Sequence, residues 1–240
     1  MSYQTIVTAA APTKEIFLSA GFLTSRNRLT VGDLPLLHRA VNSAASREGS
    51  VTLVLNKEEE SSDFAAGGMM EALLPSVRIV HSPSDAKGAL VSALLGAEQL
   101  DPDLPLLICP GDAFLSQNFE TYLEGQKKAF DGFTLAFRSQ SPRWSFLGLN
   151  SEGEISEVAE KKIIGPLATT GHFYFKRASD FIDASKWVLV NNANVNGSFF
   201  VSTALNYLVS SGMSLGFKEI ARDEYFSFSK PHDFIQQEMR

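Results

Sequence analysis

The chain has 240 residues, enough for one large domain or two small ones, and its 44% apolar and 20% charged residues are the balance of a soluble globular protein. A net charge of −6 argues against non-specific binding to nucleic acid or to an anionic membrane, but it leaves room for a local basic pocket. No run approaches the ~18 apolar residues needed to cross a bilayer.

Residues 5–11 (TIVTAAA) read as a first buried strand, followed by a long mixed loop over 15–29. Val31-Gly32-Asp33 makes a turn, and Pro35 opens a helix reaching about Ser46, where its missing N–H costs nothing. Leu36, Leu37, Ala40, Val41 and Ala44 follow the helical period. Strands are expected over 51–55 (VTLVL) and 77–80, with a polar stretch over 57–68 and a helix over 69–74 between them. A turn at 84–88 leads into a helix from Ala89 to about Leu100, and then to a short apolar strand over 106–109. Alternating strands and helices predict a parallel sheet covered on both faces.

The second half reads differently. Strands are expected over 132–138 (GFTLAFR) and 145–149 (SFLGL), and the turn NSEG at 150–153 closes a hairpin with a strand over 155–158. A strand over 170–175, a short helix over 178–184, a helix over 199–212, a strand over 215–220 and a terminal helix over 232–240 complete the chain. No linker separates the halves, so a single domain over 1–240 is expected, with halves 1–130 and 131–240.

The stretch Leu104–Asp112 (LPLLICPGD) stands out: a buried strand that stops at Pro110-Gly111 and presents an acid. In open α/β sheets, ligands bind at the carboxyl ends of strands. The plainer alternative is that Asp112 only caps a following helix. Cys109, the single cysteine, lies inside this strand, so packing outweighs reactivity there; having no partner for an internal disulfide, it fits a reducing compartment. The opening MSYQTIVTAAAPTKE lacks the basic-then-apolar layout of a signal peptide, and a cytoplasmic location is expected. The four histidines are scattered without metal-ligand spacing; His38 reads as a helix-surface residue, and Trp144 and Trp187 read as packing.

Several strings, in order, resemble the sugar-phosphate nucleotidyltransferases: VGDLPLL at Val31–Leu37, ISEVAEK at Ile155–Lys161, ATTGHFYF at Ala168–Phe175, NGSFFVSTALN at Asn196–Asn206 and KPHDF at Lys230–Phe234. These match the family's G-K-P-L, its E-K, its x-x-T-G-x-Y-x-F strand, its N-G-E-x-Y…N-x-L-I-x-x-G and its G-T-P-E-D-L. The resemblance implies a Rossmann-like three-layer α/β/α fold with a mixed central sheet. It also implies that a nucleoside triphosphate and a sugar 1-phosphate are joined to a nucleotide sugar, with Mg²⁺ and release of pyrophosphate. Carried over by residue, Asp112 is the metal carboxylate, Arg26 falls at the lysine of P-K-P-L, and Lys161 meets the sugar phosphate. Glu160 faces the sugar hydroxyls, Gly171 offers its backbone to the sugar, and Gly88 precedes the helix that contacts the base. Ala10 and Ala11 occupy the triphosphate loop, with Lys14 or Glu15 near the place of its arginine, and Gly111 adjoins Asp112.

The departures fall in that loop. The family's A-G-x-G-x-R is replaced by Ala9-Ala10-Ala11-Pro12-Thr13-Lys14-Glu15, which lacks both glycines and loses one N–H donor at Pro12. Ser198 replaces the family's Glu, Ser229-Lys230-Pro231 replaces Gly-Thr-Pro, and the second metal carboxylate has no clear bearer. Two readings follow: an active transferase, or a member that has lost the triphosphate loop and serves as a sugar-phosphate or nucleotide-sugar binding or regulatory protein. A glycosyltransferase of related fold ranks lower, because Gly111-Asp112-Ala113 is not a D-x-D motif. The sequence does not specify an oligomeric state.

Overall fold

The computed structural model describes residues 2–13, 15–22, 26–57, 77–126 and 130–238. Lys14 and the helix expected over 69–74 lie outside them. The core is a mixed sheet of nine strands. β1 (Gln4–Ala9) sits between β4 (Val51–Asn56) and β6 (Leu106–Pro110), and β4 pairs with β5 (Val77–Ser82), all in parallel. β1, β4 and β6 are apolar runs buried on both faces, as central parallel strands require, while β5 at the edge exposes Arg78 and His81.

Successive residues of each strand point to opposite faces, and the core divides accordingly. Val7, Leu53, Leu55, Leu107 and Cys109 pack on one side with Leu37 and Val41 of α2 (Leu36–Ala44). Ile6, Val54, Leu106 and Ile108 pack on the other with α3 (Ala89–Ala97), α5 (Ala178–Val190) and α6 (Val201–Ser210). The result is the expected three-layer α/β/α arrangement. Among the described residues, no helix is long and apolar enough to cross a membrane.

The second half extends the same sheet with antiparallel strands. β11 (Leu167–Phe175) pairs with β6, with β8 (Gly132–Arg138) and with β9 (Ser145–Leu149), while β10 (Ile155–Glu160) forms the outer arm of the hairpin with β9. In that hairpin's turn, Asn150 Oδ1 accepts from the backbone N–H of Glu152 and of Glu154, the local side-chain bonding that makes Asn a turn residue. β12 (Leu215–Glu219) adds to β8 in parallel.

Several expectations change. A short helix α1 (Glu15–Ser19) and a 3-10 turn (Arg26–Arg28) stand within the stretch read as loop. The strand pair β7 (Ala113–Leu115) and β13 (Tyr225–Ser227), and the helix α4 (Phe119–Glu124), were not anticipated; the terminal helix α7 spans Pro231–Glu238. Asp112 therefore caps no helix: it occupies the turn between β6 and β7, and Asn118 caps α4 by accepting from the Glu120 N–H. His38 is buried, not on the helix surface, because α2 is enclosed on several sides by β1, β6, β7 and the Arg26–Arg28 turn. Burial lowers its pKa, aided by the neighbouring Arg39.

Candidate functional site

The cavity begins as a gap in strand pairing. Along one edge of β11, Phe173–Phe175 pair with β6, whereas Leu167 and Ala168 pair with β9. Between these two contacts, Thr169, Thr170 and Gly171 line an opening of about 440 Å³. On the opposite edge the register with β8 slips between Thr169 and Phe173, a bulge of the kind that re-aims side chains. Gly171 has φ +81°, and a Cβ there would stand 3.3 Å from Pro110 Cγ, so glycine suits both the backbone and the space. The Thr134 hydroxyl donates to the His172 carbonyl at 2.8 Å and locks the bulge.

One wall comes from the carboxyl ends of β1 and β6. Arg26 Nη1 lies 3.0 Å from Asp112 Oδ2, with side-chain exposures of only 8% and 22%. The Arg26 backbone N–H donates to Thr13 Oγ1, and the Asn27 amide donates to the Ala9 carbonyl, which tie this turn to the end of β1. The Asp112 carbonyl accepts from the Phe228 N–H at 2.8 Å.

The other wall is built by β9, β10 and the start of α6. Both Ser145 and Ser202 donate to Glu160 Oε2, the latter at 2.7 Å. Lys161 follows with φ +55°, uncommon for a residue with a side chain, and its Nζ sits 4.4 Å from the Phe200 ring centroid. Arg143 Cζ lies 4.1 Å over the Trp144 ring. Aromatic faces orient these two cations without cancelling their charge.

Of the residues singled out from the sequence, Ala11, Arg26, Asp112, Glu160, Lys161 and Gly171 line this one cavity. Three do not. Ala10 is buried, and its carbonyl accepts from the Asn56 amide. Gly111 donates to the Thr8 carbonyl, and a Cβ there would meet Ala9 Cβ at 2.7 Å. Gly88 caps α3, and a Cβ on it would lie 2.3 Å from the Phe199 carbonyl, so its role is close packing; the next residue, Ala89, reaches the cavity. Lys14 lies outside the described residues. Arg143, Lys230, Ser145 and Ser202 also line or brace the site and were missed. They sit on separate elements, and nothing local distinguishes them from surface residues. Trp144 packs against Phe137 and Tyr225, as expected, and also lines the cavity beneath Arg143.

Four cations (Arg26, Arg143, Lys161, Lys230) and two carboxylates (Asp112, Glu160) leave the lining positive in a protein of net charge −6. That suits a phosphorylated ligand. Other lining groups are quiet: burial pushes the Cys109 thiol and the Tyr225 phenol up, so both stay protonated. Behind Gly171, His172 is buried against Phe119, and burial lowers its pKa to about 4; its Nε2 has no hydrogen-bond partner.

The resemblance implies Mg²⁺ at Asp112, and the donor set does not fit a cation held by the protein. Asp112 Oδ2 is already bound by a guanidinium. A metal on this carboxylate would stand within roughly 4 Å of that charge, where even two unit charges repel by about 4 kcal/mol at an effective dielectric of about 20. Among the described residues, no group of three or more His, Cys, Asp or Glu stands together as a metal site. The lining holds one other acid among the described residues, Glu160, whose Oε2 is already held by Ser145 and Ser202.

No protein-family model matches the chain, and no curated protein matches it in sequence. Solved structures do match it in fold. A nucleoside-diphosphate-sugar pyrophosphorylase from Vibrio cholerae superposes with a TM-score of 0.82 at 19% identity, covering 98% of this chain and 100% of that one. A putative glucose-1-phosphate thymidylyltransferase from Bacillus anthracis gives 0.72 at 17% identity, covering 98% and 94%. The inositol-1-phosphate CTP transferase from T. maritima gives 0.68 at 11% identity, covering 99% and 95%. Over nearly its whole length, the chain has the sugar-phosphate nucleotidyltransferase fold.

Proposed function

We propose that the chain joins a nucleoside triphosphate to a sugar 1-phosphate, giving a nucleotide sugar and pyrophosphate. The observation that carries this reading is the meeting of Arg26, Arg143, Lys161 and Lys230 with Glu160 in one cavity where β6 and β9 part along β11. In the reaction, an oxygen of the sugar phosphate attacks the α-phosphorus in line. The bond from the α-phosphorus to the bridging oxygen breaks, and pyrophosphate leaves with the electron pair. Such transfer needs little covalent help; it needs alignment and neutralisation of crowded negative charge.

On this reading Lys161 holds the sugar phosphate. Its strained backbone keeps the ammonium over Phe200 at the mouth of the cavity. Glu160, with Oε2 braced by two hydroxyls, accepts from sugar hydroxyls. Arg26 and Lys230 face the triphosphate, beside the loop that contains Ala11. We take the halves 1–130 and 131–240 as one domain, a reading supported by the pairing of β11 with both β6 and β8. The buried single cysteine suits a reducing, cytoplasmic setting.

A second reading, a sugar-phosphate or nucleotide-sugar binding protein without turnover, is favoured by one observation: Asp112 is occupied by Arg26. Calorimetric titration with four nucleoside triphosphates, followed by pyrophosphate release with a panel of sugar 1-phosphates, separates the two. Release with one triphosphate establishes the transferase and its base. Uptake of a sugar phosphate or nucleotide sugar without release establishes the binding protein. Uptake of neither overturns both.

A further inference from the structure

We propose that Arg26, anchored by Asp112, stands in for a divalent cation, so that a diphosphate-bearing ligand binds in this cavity without a metal. The inference deepens the preceding reading and rests on it.

The pair is held from both sides. Arg26 belongs to a short turn whose backbone is bonded to Thr13 and whose Asn27 is bonded to Ala9. Asp112 lies in a turn whose Gly111 N–H donates to the Thr8 carbonyl and whose own carbonyl accepts from Phe228. Neither partner sits on a side chain that wanders in solvent. A guanidinium offers five N–H donors, and Asp112 engages it through Nη1. Arg26 Nε is buried and has no hydrogen-bond partner among the described residues, and a buried donor left unpaired is costly. Arg26 lines the cavity, so an anion entering it meets a fixed guanidinium charge whose remaining N–H donors suit phosphate oxygens.

The surroundings agree with this assignment. The same lining holds Thr8, Ser227, Ser229 and Lys230. Hydroxyls and cations are what a bare phosphate uses; Mg²⁺ is held through at least one carboxylate, and the one here is already paired with Arg26. Arginine also keeps its charge at every accessible pH, so the site needs neither a metal nor a titration to be ready.

The test is binding of inorganic pyrophosphate and of ADP-, CDP-, GDP-, dTDP- and UDP-glucose to the full chain, in EDTA and in Mg²⁺. The expected result is a nucleotide-diphosphate probe that binds in EDTA within about threefold of its affinity in Mg²⁺. Arg26→Ala should weaken that binding about tenfold or more. Because Arg26→Ala removes one half of a nearly buried pair, Arg26→Lys and Asp112→Asn are measured beside it, each checked by its thermal midpoint. Arg26→Lys keeps the charge but loses the fork and should weaken binding less. Asp112→Asn loosens the anchor but keeps the guanidinium, so it should weaken metal-free binding less than Arg26→Ala does, and Mn²⁺ alone should show no saturable uptake. Binding that requires Mg²⁺ and disappears in Asp112→Asn, or Mn²⁺ uptake that the same substitution abolishes, overturns the inference and leaves the transfer reading standing. No binding of any probe in either buffer overturns both.

Discussion

Each wall of the cavity carries one carboxylate, and the two are held in opposite ways. Asp112 is closed off by a guanidinium. Glu160 is held by the hydroxyls of Ser145 and Ser202, which leave its charge intact. A carboxylate paired with a fixed arginine becomes an anchor for that arginine. A carboxylate held by hydroxyls remains an acceptor and a charge. The Asp112 wall therefore presents a cation to a ligand, while the Glu160 wall presents both an anion and the separate cation Lys161. The same residue type serves two purposes, and its partner decides which.

Measurements can break this contrast or sharpen it. The largest effect is expected at Lys161. Lys161→Ala should lower kcat/KM for the sugar 1-phosphate by about 10²-fold in the pyrophosphate-release assay. An unchanged value would mean that the Glu160 wall does not face the phosphate. Glu160→Gln keeps the shape but removes the charge, and should mainly raise KM for the sugar.

Beneath the seam between the walls, His172 contributes to the pH response of the fold, in the same direction as the buried His38. Its native pKa of about 4 lies below the ordinary value of 6.5 because burial disfavours the charged ring. Between these values the unfolded chain binds a proton that the native state refuses, so stability falls as pH falls. The loss between pH 7 and pH 5 should be about 2 kcal/mol in urea titrations. His172→Leu should flatten that slope; an equal slope in the variant would assign it to other groups.

Gly171→Ala tests the seam itself. With φ +81° and Pro110 at 3.3 Å, the added methyl should cost about 1–2 kcal/mol of stability, read as a shift in urea midpoint. It should also weaken ligand binding at both walls together, which neither Arg26 nor Lys161 variants would do. The smallest effect is expected at Arg143. It is half-buried over Trp144, and Arg143→Gln should weaken anion binding only a few-fold, by an amount that shrinks further in high salt.

The sheet was legible in the sequence wherever a strand writes its own signature. The apolar runs of β1, β4 and β6 stop at polar or turn residues, and the NSEG turn closes the β9–β10 hairpin. The elements that were missed depend on distant partners. β7 is three residues long and is a strand only because β13 lies against it. Asp112 is recognisable as an acid at a strand end, but the guanidinium that neutralises it arrives from a turn near the start of the chain. Arg143 and Lys230 are ordinary loop cations until folding gathers them. His38 carries a polar label on a helix that the fold happens to enclose.

The way β11 lies along β6 has a practical consequence for dissecting the molecule. β6 carries β1 on one edge and the far half of the chain on the other. A fragment ending near residue 130 would present Leu106–Pro110 as a bare hydrophobic edge, a ready template for pairing with a second fragment. The nucleotide-side half expressed alone should therefore collect as an insoluble aggregate, and co-expression with residues 131–240 is the way to recover it.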